Sequence, residues 1–535
     1  MVTDDANADG LADVGVPRTG GMDWGFDNTF ALELDWLGVR IDPVPVAAPG
    51  LLLVNEALAV ELGLDSEWLR SPEGVAVLAG NAIAPGSMPF AQAYAGHQFG
   101  QFSPLLGDGR ANLLGEVIDR EGRRRDIALK GSGRTPFSRG GDGRAAVGPV
   151  LREYILGEAM HALGVPTTRA LAAVTTGESV WREAGPLPGA VLTRVAASHL
   201  RVGMAELVRM RASDVQQVAF ADYVRRRHHP EVVEGDWLGL LSAVVSAQAR
   251  LIAQWMSLGF IHGVMNTDNM TLSGETIDYG PAAFLEAHDP GAVFSSIDAM
   301  GRYRFGAQPS IAQWDLARYA ETLLPLLAPD PGADAELIEA ATERIRLFDK
   351  AFRAEYLARM AARLGLDHVV GLDAEVALGL VDELLELMGR ERLDHTRTFR
   401  MLSKVLRESV ASGGGWRDAR SRADGTRADA LGELVVDRGV WEAWRDRWLA
   451  ALSGIPSATR PEEVATSMDA VNPAYIPRNH LVEEALAAAQ LGDLAPTHAL
   501  LDAVSQPFTE RPGLERYAAP APASFTDSYV TYCGT

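Results

Sequence analysis

Asn269 and Asp278 are the two side chains whose types and spacing point most directly to chemistry. Between them, Met270 to Leu272 and Glu275 to Ile277 read as the arms of a small hairpin turning at Ser273-Gly274. An amide oxygen and a carboxylate on neighbouring arms suit Mg2+, which prefers oxygen ligands, takes few from protein and leaves places for phosphate and water. Taken singly, Asn269 reads more readily as a capping amide and Asp278 as a turn acid. His262 upstream and Tyr279-Gly280 downstream favour the metal reading. Asp268 stands next to Asn269, where a carboxylate can face the same cleft and accept a proton from an attacking hydroxyl. Its bland alternative is a solvated loop acid.

Cationic groups for a polyanion lie upstream. Lysine is rare: Lys130, Lys350 and Lys404 are the only three among 49 basic residues, yet Lys130 closes the apolar run Asp126-Ile-Ala-Leu-Lys130. The segment 119–144 holds eight basic and four acidic residues in a protein whose net charge is −22. That local reversal suits nucleotide phosphates, while Arg123 to Arg125 read as a solvated turn. Glu153, in the first half of the next helical stretch, is the expected ion-pair partner of Lys130, and Glu158 is read as a surface acid. The tetrapeptide Gly-Asp-Gly-Arg occurs twice, at 107–110 and 141–144. Glycines such as Gly107, Gly109 and Gly143 let backbone approach a phosphate, and an arginine such as Arg110 adds a planar fork. Arg194 and Arg201 follow a predicted strand and can reach the same anion; surface salt bridges are the alternative.

The order of these residues matches the protein-kinase pattern H-R-D-L-x-x-x-N followed by D-F-G, with His262 on the His, Asn269 on the Asn and Asp278-Tyr279-Gly280 on D-F-G. The usual catalytic Asp is replaced by Val264. His262 then reads as a loop-stabilising residue rather than a base. No G-x-x-x-x-G-K-[ST], H-E-x-x-H or G-x-S-x-G is present, so Walker A, zincin and α/β-hydrolase chemistry are not indicated.

The elements that position these groups are predicted from periodicity. Helices are expected at Leu51–Leu64 and Ser66–Leu78, strands at 111–118 and 126–130, one long helix at 146–163, and further strands at 168–175 and 190–194. From about Gly203 the pattern becomes helical, with 242–258, 313–327, 335–364, 376–388, 396–410, 441–452 and 481–504 as the main runs, and Gly413–Thr426 reads as a linker. The fold class expected is α+β and protein-kinase-like: a strand-rich N-lobe with one long helix, a helical C-lobe, and N- and C-terminal extensions. Its predicted parts are a disordered tail over 1–27, the N-terminal extension with N-lobe over 28–202, the C-lobe over 203–455, and a C-terminal extension over 456–535.

Composition bounds the rest. The 535 residues are 47% hydrophobic and 22% charged, as in ordinary globular chains. The acidic balance disfavours nucleic acid and anionic membranes as partners. No apolar run of about 18 residues and no basic-then-apolar leader is read, so a cytoplasmic location is expected. The single cysteine, Cys533, excludes an internal disulfide.

Together the motifs resemble the selenoprotein O family, protein adenylyltransferases with a pseudokinase fold. The resemblance rests on Tyr94-Ala-Gly-His-Gln-Phe-Gly-Gln-Phe, Leu106-Gly-Asp-Gly-Arg-Ala, Leu129-Lys-Gly-Ser-Gly-Arg-Thr-Pro-Phe-Ser-Arg and Gly140-Gly-Asp-Gly-Arg-Ala. It continues through Leu151-Arg-Glu-Tyr, Arg194 to Arg201, Met265-Asn-Thr-Asp-Asn-Met, Ile277-Asp-Tyr-Gly-Pro and Asn472-Pro-Ala-Tyr-Ile-Pro-Arg-Asn. It implies ATP bound in a flipped orientation and AMP transferred to Ser, Thr or Tyr hydroxyls of acceptor proteins, with release of pyrophosphate. It further implies Asp268 as proton acceptor, Asn269 and Asp278 as ligands of Mg2+ or Mn2+, and a nucleotide site built from Gly107, Gly109, Arg110, Lys130, Asp142, Gly143, Arg194, Arg201 and Asp278, with Glu153 behind Lys130. Many eukaryotic members carry selenocysteine near the C-terminus, where this chain has Cys533. A kinase with a displaced base and a non-catalytic nucleotide-binding scaffold are the competing readings.

Overall fold

Short runs rich in Val, Leu and Ala, punctuated by glycine and charged turns, build an eight-stranded sheet. In this computed structural model the described residues are 15–531 apart from 184, 328–333, 411–428, 457 and 527. The expected linker at Gly413–Thr426 and Cys533 lie outside them, as does the start of the expected N-terminal tail. The strands are β1 (Gly38–Arg40), β2 (Gly50–Val54), β3 (Phe90–Gln92), β4 (Gly96–Gln98), β5 (Gln101–Ser103), β6 (Ala111–Ile118), β7 (Arg124–Lys130), β8 (Ala145–Ala146), β9 (Arg169–Arg182) and β10 (Gly185–Ala196). Their order in the large sheet is β1-β3-β6-β7-β10-β9-β2, with β8 beside β10, and all neighbours are antiparallel. β4 and β5 form a separate hairpin, and β11 (Phe260–Ile261) pairs with β12 (Ala283–Phe284).

Register decides which side chains meet. Lys130 lies opposite Leu192 and Ala128 opposite Arg194. Side chains alternate faces along a strand, so Lys130 and Arg194 emerge on one face as diagonal neighbours. Four short helices precede this region: α1 (Thr29–Glu33), α2 (Glu56–Leu62), α3 (Ser66–Arg70) and α4 (Pro72–Ala79). The long helix α5 (Val147–Ala162) packs on the Lys130 face, and its buried residues include Leu151, Glu153, Tyr154 and Ile155. The helices Asn479–Gln490 and Ala495–Ser505 cover α5 from outside through Leu481, Val482, Leu486 and Leu500. The distal end of the chain therefore braces the helix that carries Glu153.

The rest is helical: α6 (Val202–Arg211), α7 (Asp214–His228), α8 (Trp237–Leu258), α9 (Gln308–Leu327), α10 (Asp334–Arg363), α11 (Ala374–Glu391) and α12 (His395–Val410), then helices Arg438–Leu452 and Pro461–Val471. α8 is apolar on most faces, as expected of a helix buried by its neighbours. A second core forms under 438–452, where Trp441, Trp444 and Trp448 share one face and stack with centroids 5.3 and 5.6 Å apart. No helix among the described residues is long and apolar enough to cross a membrane.

Several expectations differ from the structure. The helix expected at Leu51–Leu64 is strand β2 followed by α2, because Leu51–Val54 pairs with β9 and Asn55 caps the helix by accepting from Leu58 N. The tail expected over 1–27 is packed from residue 15 onward: Arg18 bridges Ile83, and Trp24 is buried against Trp68. The single helical region expected at Leu481–Val504 is two helices separated at Gly492, which has φ +89°. Met270–Ile277 is no self-paired hairpin. Its arms pair outward, Thr271 with Arg201 and Thr276 with Thr167, and a Thr271 Oγ1 to Glu275 O bond closes the turn. Helix Pro461–Val471 was not anticipated, although Pro461 at the first turn followed by Glu462 and Glu463 is a recognisable start.

Buried histidines tie the lower helices to the loop region. His288 and His395 stack with centroids 5.3 Å apart, and His395 Nε2 lies 3.2 Å from Ser257 O. Burial pushes His288 from 6.5 down to about 4. Between those values the unfolded chain binds the proton and the folded one does not. Stability therefore rises with pH through that window and is lost as pH falls from 6.5 towards 4. The slope is at most about 1.4 kcal/mol per pH unit for one histidine. Urea unfolding across pH 4 to 7.5 should show this slope, and His288→Gln should flatten it; an unchanged slope in the variant would contradict the assignment.

Candidate active site

Lys130 is carried by the end of β7 and Arg194 by the partnering stretch of β10, so both cations leave the sheet towards α5 and the 262–280 segment. Glu153 comes from the facing side of α5. Its Oε2 lies 2.5 Å from Lys130 Nζ, and its Oε1 lies 3.1 Å from Arg194 Nη1. Asp278 arrives from the opposite side. Its Oδ1 accepts from Lys130 Nζ and from Arg194 Nη1, the latter at 2.8 Å. Two carboxylates thus hold two cations in one closed network. Asp278 sits at φ +63°, a left-handed conformation uncommon outside glycine, and Gly280 N donates back to Asp278 O at 2.9 Å.

The 262–280 segment is stitched to the strand layer on both sides. Val202 N donates to Met270 O, Leu272 N to Leu200 O, and Thr168 N to Thr276 O, each at 2.9 Å. His262 is buried, stacks on Trp255 and donates from Nε2 to Ile277 O at 2.7 Å. It braces the loop, as its sequence context suggested.

A second cationic centre is Arg201, which is 2% exposed. Its guanidinium lies 4.6 Å from the Tyr94 ring centroid, donates to Asp268 O at 3.2 Å and stands 3.7 Å from Asp108 Oδ1. Below Arg194, His199 Nε2 accepts from Arg194 Nε at 3.1 Å. The His199 N and Nδ1 atoms in turn lie 2.8 and 3.0 Å from Asp126 Oδ2, and Arg227 takes the other oxygen of Asp126 at 2.5 Å. A buried chain of alternating charge therefore runs beneath the site.

The electrostatics follow from this placement. Burial opposes ionisation of Asp278, but Lys130, Arg194 and Arg201 outweigh it and hold the carboxyl well below the usual range. Asp268 has less help: burial raises it to about 6, with Arg201 and a Gln98 hydrogen bond opposing. Its Oδ1 is buried with no hydrogen-bond partner among the described residues, while Oδ2 accepts from Gln98 Nε2 at 3.2 Å. Asn269 donates from Nδ2 to Val264 O at 3.0 Å.

A cavity of about 260 Å3 opens onto this network, lined by Lys130, Arg110, Arg144, Arg194, Arg201 and Asp278 and by Gly107, Gly109 and Gly143. The glycines have steric reasons. Gly107 has φ +136°, and a Cβ there would stand 2.4 Å from the Phe137 ring; Gly143 has φ +67°, and its Cβ would stand 2.2 Å from Gly133. The Arg110 side chain makes no hydrogen bond or ion pair among the described residues and lines a second, more apolar cavity of about 530 Å3. Leu187, Leu192, Leu486, Phe525 and Tyr529 wall that space, and Lys130 and Glu153 reach it too.

Of the residues singled out from sequence, Lys130, Glu153, Arg194 and Asp278 meet in one network, and Arg110, Arg201 and the three glycines border the same space. Asp142 stands at the rim, paired with Arg182 at 2.8 Å and accepting from Arg144 N. Asp268 and Asn269 lie on the one-turn helix 267–269, below Arg201. Glu158 is no bare surface acid: it binds Arg169, Asn55 and Ala170 N. Arg123 is exposed, as a solvated turn implies, and both it and the half-buried Arg125 pair with Asp119. Sequence reasoning gave no role to Tyr94, Asp108 and Gln98, although all three lie inside motifs that carry the resemblance. Asp108 is the acid inside the first Gly-Asp-Gly-Arg, which was the available signal; Gln98 carried none by type.

Comparison with known proteins then decides the family. The model of the family described as protein adenylyltransferase SelO matches residues 37–505. The chain belongs to this family. A relative from Mycolicibacterium paratuberculosis named protein nucleotidyltransferase YdiU is 53% identical over 508 residues, covering 95% of this chain and 97% of the relative. One of the same name from Cereibacter sphaeroides is 51% identical over 517 residues, covering 96% of this chain and all of the relative.

In this SelO family member Glu153 balances the buried Arg194 and the half-buried Lys130. Glu153→Gln leaves Lys130 and Arg194 sharing one carboxylate and should cost about 3 kcal/mol or more of stability. Urea unfolding measures this; a loss below about 0.5 kcal/mol would mean the network is relaxed by solvent.

Proposed function

We propose that this chain is a protein adenylyltransferase on a protein-kinase-like bilobal frame, transferring AMP from ATP to Ser, Thr or Tyr hydroxyls of proteins and releasing pyrophosphate. One observation carries the reading. Lys130, Arg194 and Arg201 converge on a cavity of about 260 Å3, and Arg201 also donates to the backbone oxygen of Asp268, a buried carboxylate whose Oδ1 has no hydrogen-bond partner among the described residues. The Lys130–Glu153 pair, from a strand end to a facing helix, supports the kinase-like frame.

Phosphates fit the basic cavity, and the adjoining apolar cavity offers room for a purine and ribose. Lys130 and Arg110, which line both, are placed to hold the chain of phosphates where the two meet. In the reaction the acceptor hydroxyl oxygen forms a bond to the α-phosphorus as the bond to the bridging oxygen breaks. Pyrophosphate leaves with the electron pair. Asp268 Oδ1 takes the hydroxyl proton. Charge developing on the phosphate oxygens is met by guanidinium and ammonium groups already buried and paired, so little reorganisation is required.

The donor set suits a hard divalent cation such as Mg2+ or Mn2+. Asn269 has its Nδ2 engaged, which leaves Oδ1 for a ligand, and the Lys130 and Arg194 contacts of Asp278 are both made by Oδ1, which leaves Oδ2. Bound between them, the ion would neutralise phosphate charge and orient the α-phosphate.

Incubation with α-labelled ATP, Mg2+ and a protein extract should label acceptors, with one pyrophosphate formed per label. Asp268→Asn should lower the rate by about 100-fold or more with ATP binding retained, and Asp278→Ala should abolish transfer. Label that arrives only from γ-labelled ATP, with ADP as product, would replace this reading with phosphoryl transfer; ATP binding without any turnover would leave a scaffold.

A further inference from the structure

The β4–β5 hairpin lies against the loop that carries Asp268, and three of its groups grip consecutive residues of that loop. His97 N donates to Thr267 Oγ1 at 2.7 Å, Gln98 Nε2 to Asp268 Oδ2 at 3.2 Å, and Phe99 N to Asn266 Oδ1 at 3.1 Å. The grip is itself anchored. Glu206 of α6 receives Thr267 Oγ1 at 2.6 Å and lies 2.5 Å from His97 Nδ1. Tyr303 OH donates to the same Asn266 oxygen at 2.6 Å. Phe99 holds φ +52°, so the chain turns sharply immediately after Gln98.

The consequence falls on one carboxylate. Among the described residues the Asp268 carboxylate has a single hydrogen bond, and Gln98 provides it. A hydrogen bond to one carboxylate oxygen resists rotation about the Cβ–Cγ bond, and that fixes the direction of the other oxygen. We propose that Gln98 is a positioning residue for transfer: its amide occupies Oδ2 so that Oδ1 is the oxygen presented to the acceptor hydroxyl. The hairpin thereby acts as a template for the proton-accepting geometry. This rests on the reading of Asp268 as proton acceptor. Gln98 lines neither the basic nor the apolar cavity, so its effect is on alignment, where small misplacements are expensive in rate.

The test is a double-mutant cycle on the full chain between Gln98→Leu and Asp268→Asn. It reads kcat, KM for ATP and the Kd of a non-hydrolysable ATP analogue. Gln98→Leu should lower kcat roughly tenfold or more, since it removes a hydrogen bond to a charged group, and leave the analogue Kd within about twofold. In the Asp268→Asn background the same change should add nothing. Gln98→Glu, of equal size, should lower kcat at least as far by setting a second carboxylate against the first. Wild-type kcat for Gln98→Leu with a dead Asp268→Asn enzyme overturns the positioning role alone. Multiplicative losses, or a weakened analogue Kd, show that Gln98 acts elsewhere and overturn it too. An active Asp268→Asn enzyme instead sinks the underlying assignment of the base.

Discussion

Arg194 and Arg201 are nearly inaccessible to solvent, and a guanidinium that far from water is tolerable only when anions are delivered to it. That requirement organises the molecule. Asp278 comes from the loop after α8, Glu153 from α5 and Asp108 from the turn before β6, so three distant stretches of chain must close on the same two cations. Lys130 shares two of those anions. Satisfying the charges and assembling the pocket are one event. The arrangement also explains why buried cations can be kept ready in an acidic protein: their compensation is local, and the net charge of the chain is irrelevant to it.

The remaining architecture keeps these donors in place. α5 is trapped between the sheet and the C-terminal helices, so the position of Glu153 depends on residues more than three hundred places further along the chain. The 262–280 segment is braced from within by His262 and the Thr271–Glu275 bond, and from outside by the backbone around Arg201 and Thr167, so Asp278 is held at a positive φ without a hairpin behind it. The β4–β5 hairpin completes the enclosure from the other side.

Much of this was legible beforehand for identifiable reasons. Strands at 111–118 and 124–130 alternate or run apolar between charged turns, and α5 has a clean helical face ending at Gly164, so local signals and tertiary demands agree. Lys130 stood out because a lysine ending an apolar strand in a lysine-poor chain needs a partner, and Glu153 is where a facing helix would supply it. Leu51–Val54 misled because four apolar residues fit a helix turn or an edge strand equally; only pairing with β9 chooses. Met270–Ile277 misled because its turn chemistry is that of a hairpin while its hydrogen bonds go to other segments.

The amino-acid order alone determined which chemical groups exist and at what spacing: an amide and a carboxylate flanking a turn, a strand-end lysine, paired Gly-Asp-Gly-Arg loops, and the motif set that marks the family. It also determined those helices and strands whose signals lie within a few residues, such as β6 and α5. Only the folded molecule decided that one oxygen of Asp278 serves two cations while the other is left over, that Asp108 and Tyr94 flank Arg201, that Asp142 stands at the rim, and that Gln98 holds Asp268. These are contacts between residues tens to hundreds of places apart. They follow from strand register and helix docking, and no local periodicity encodes which atoms will meet across them.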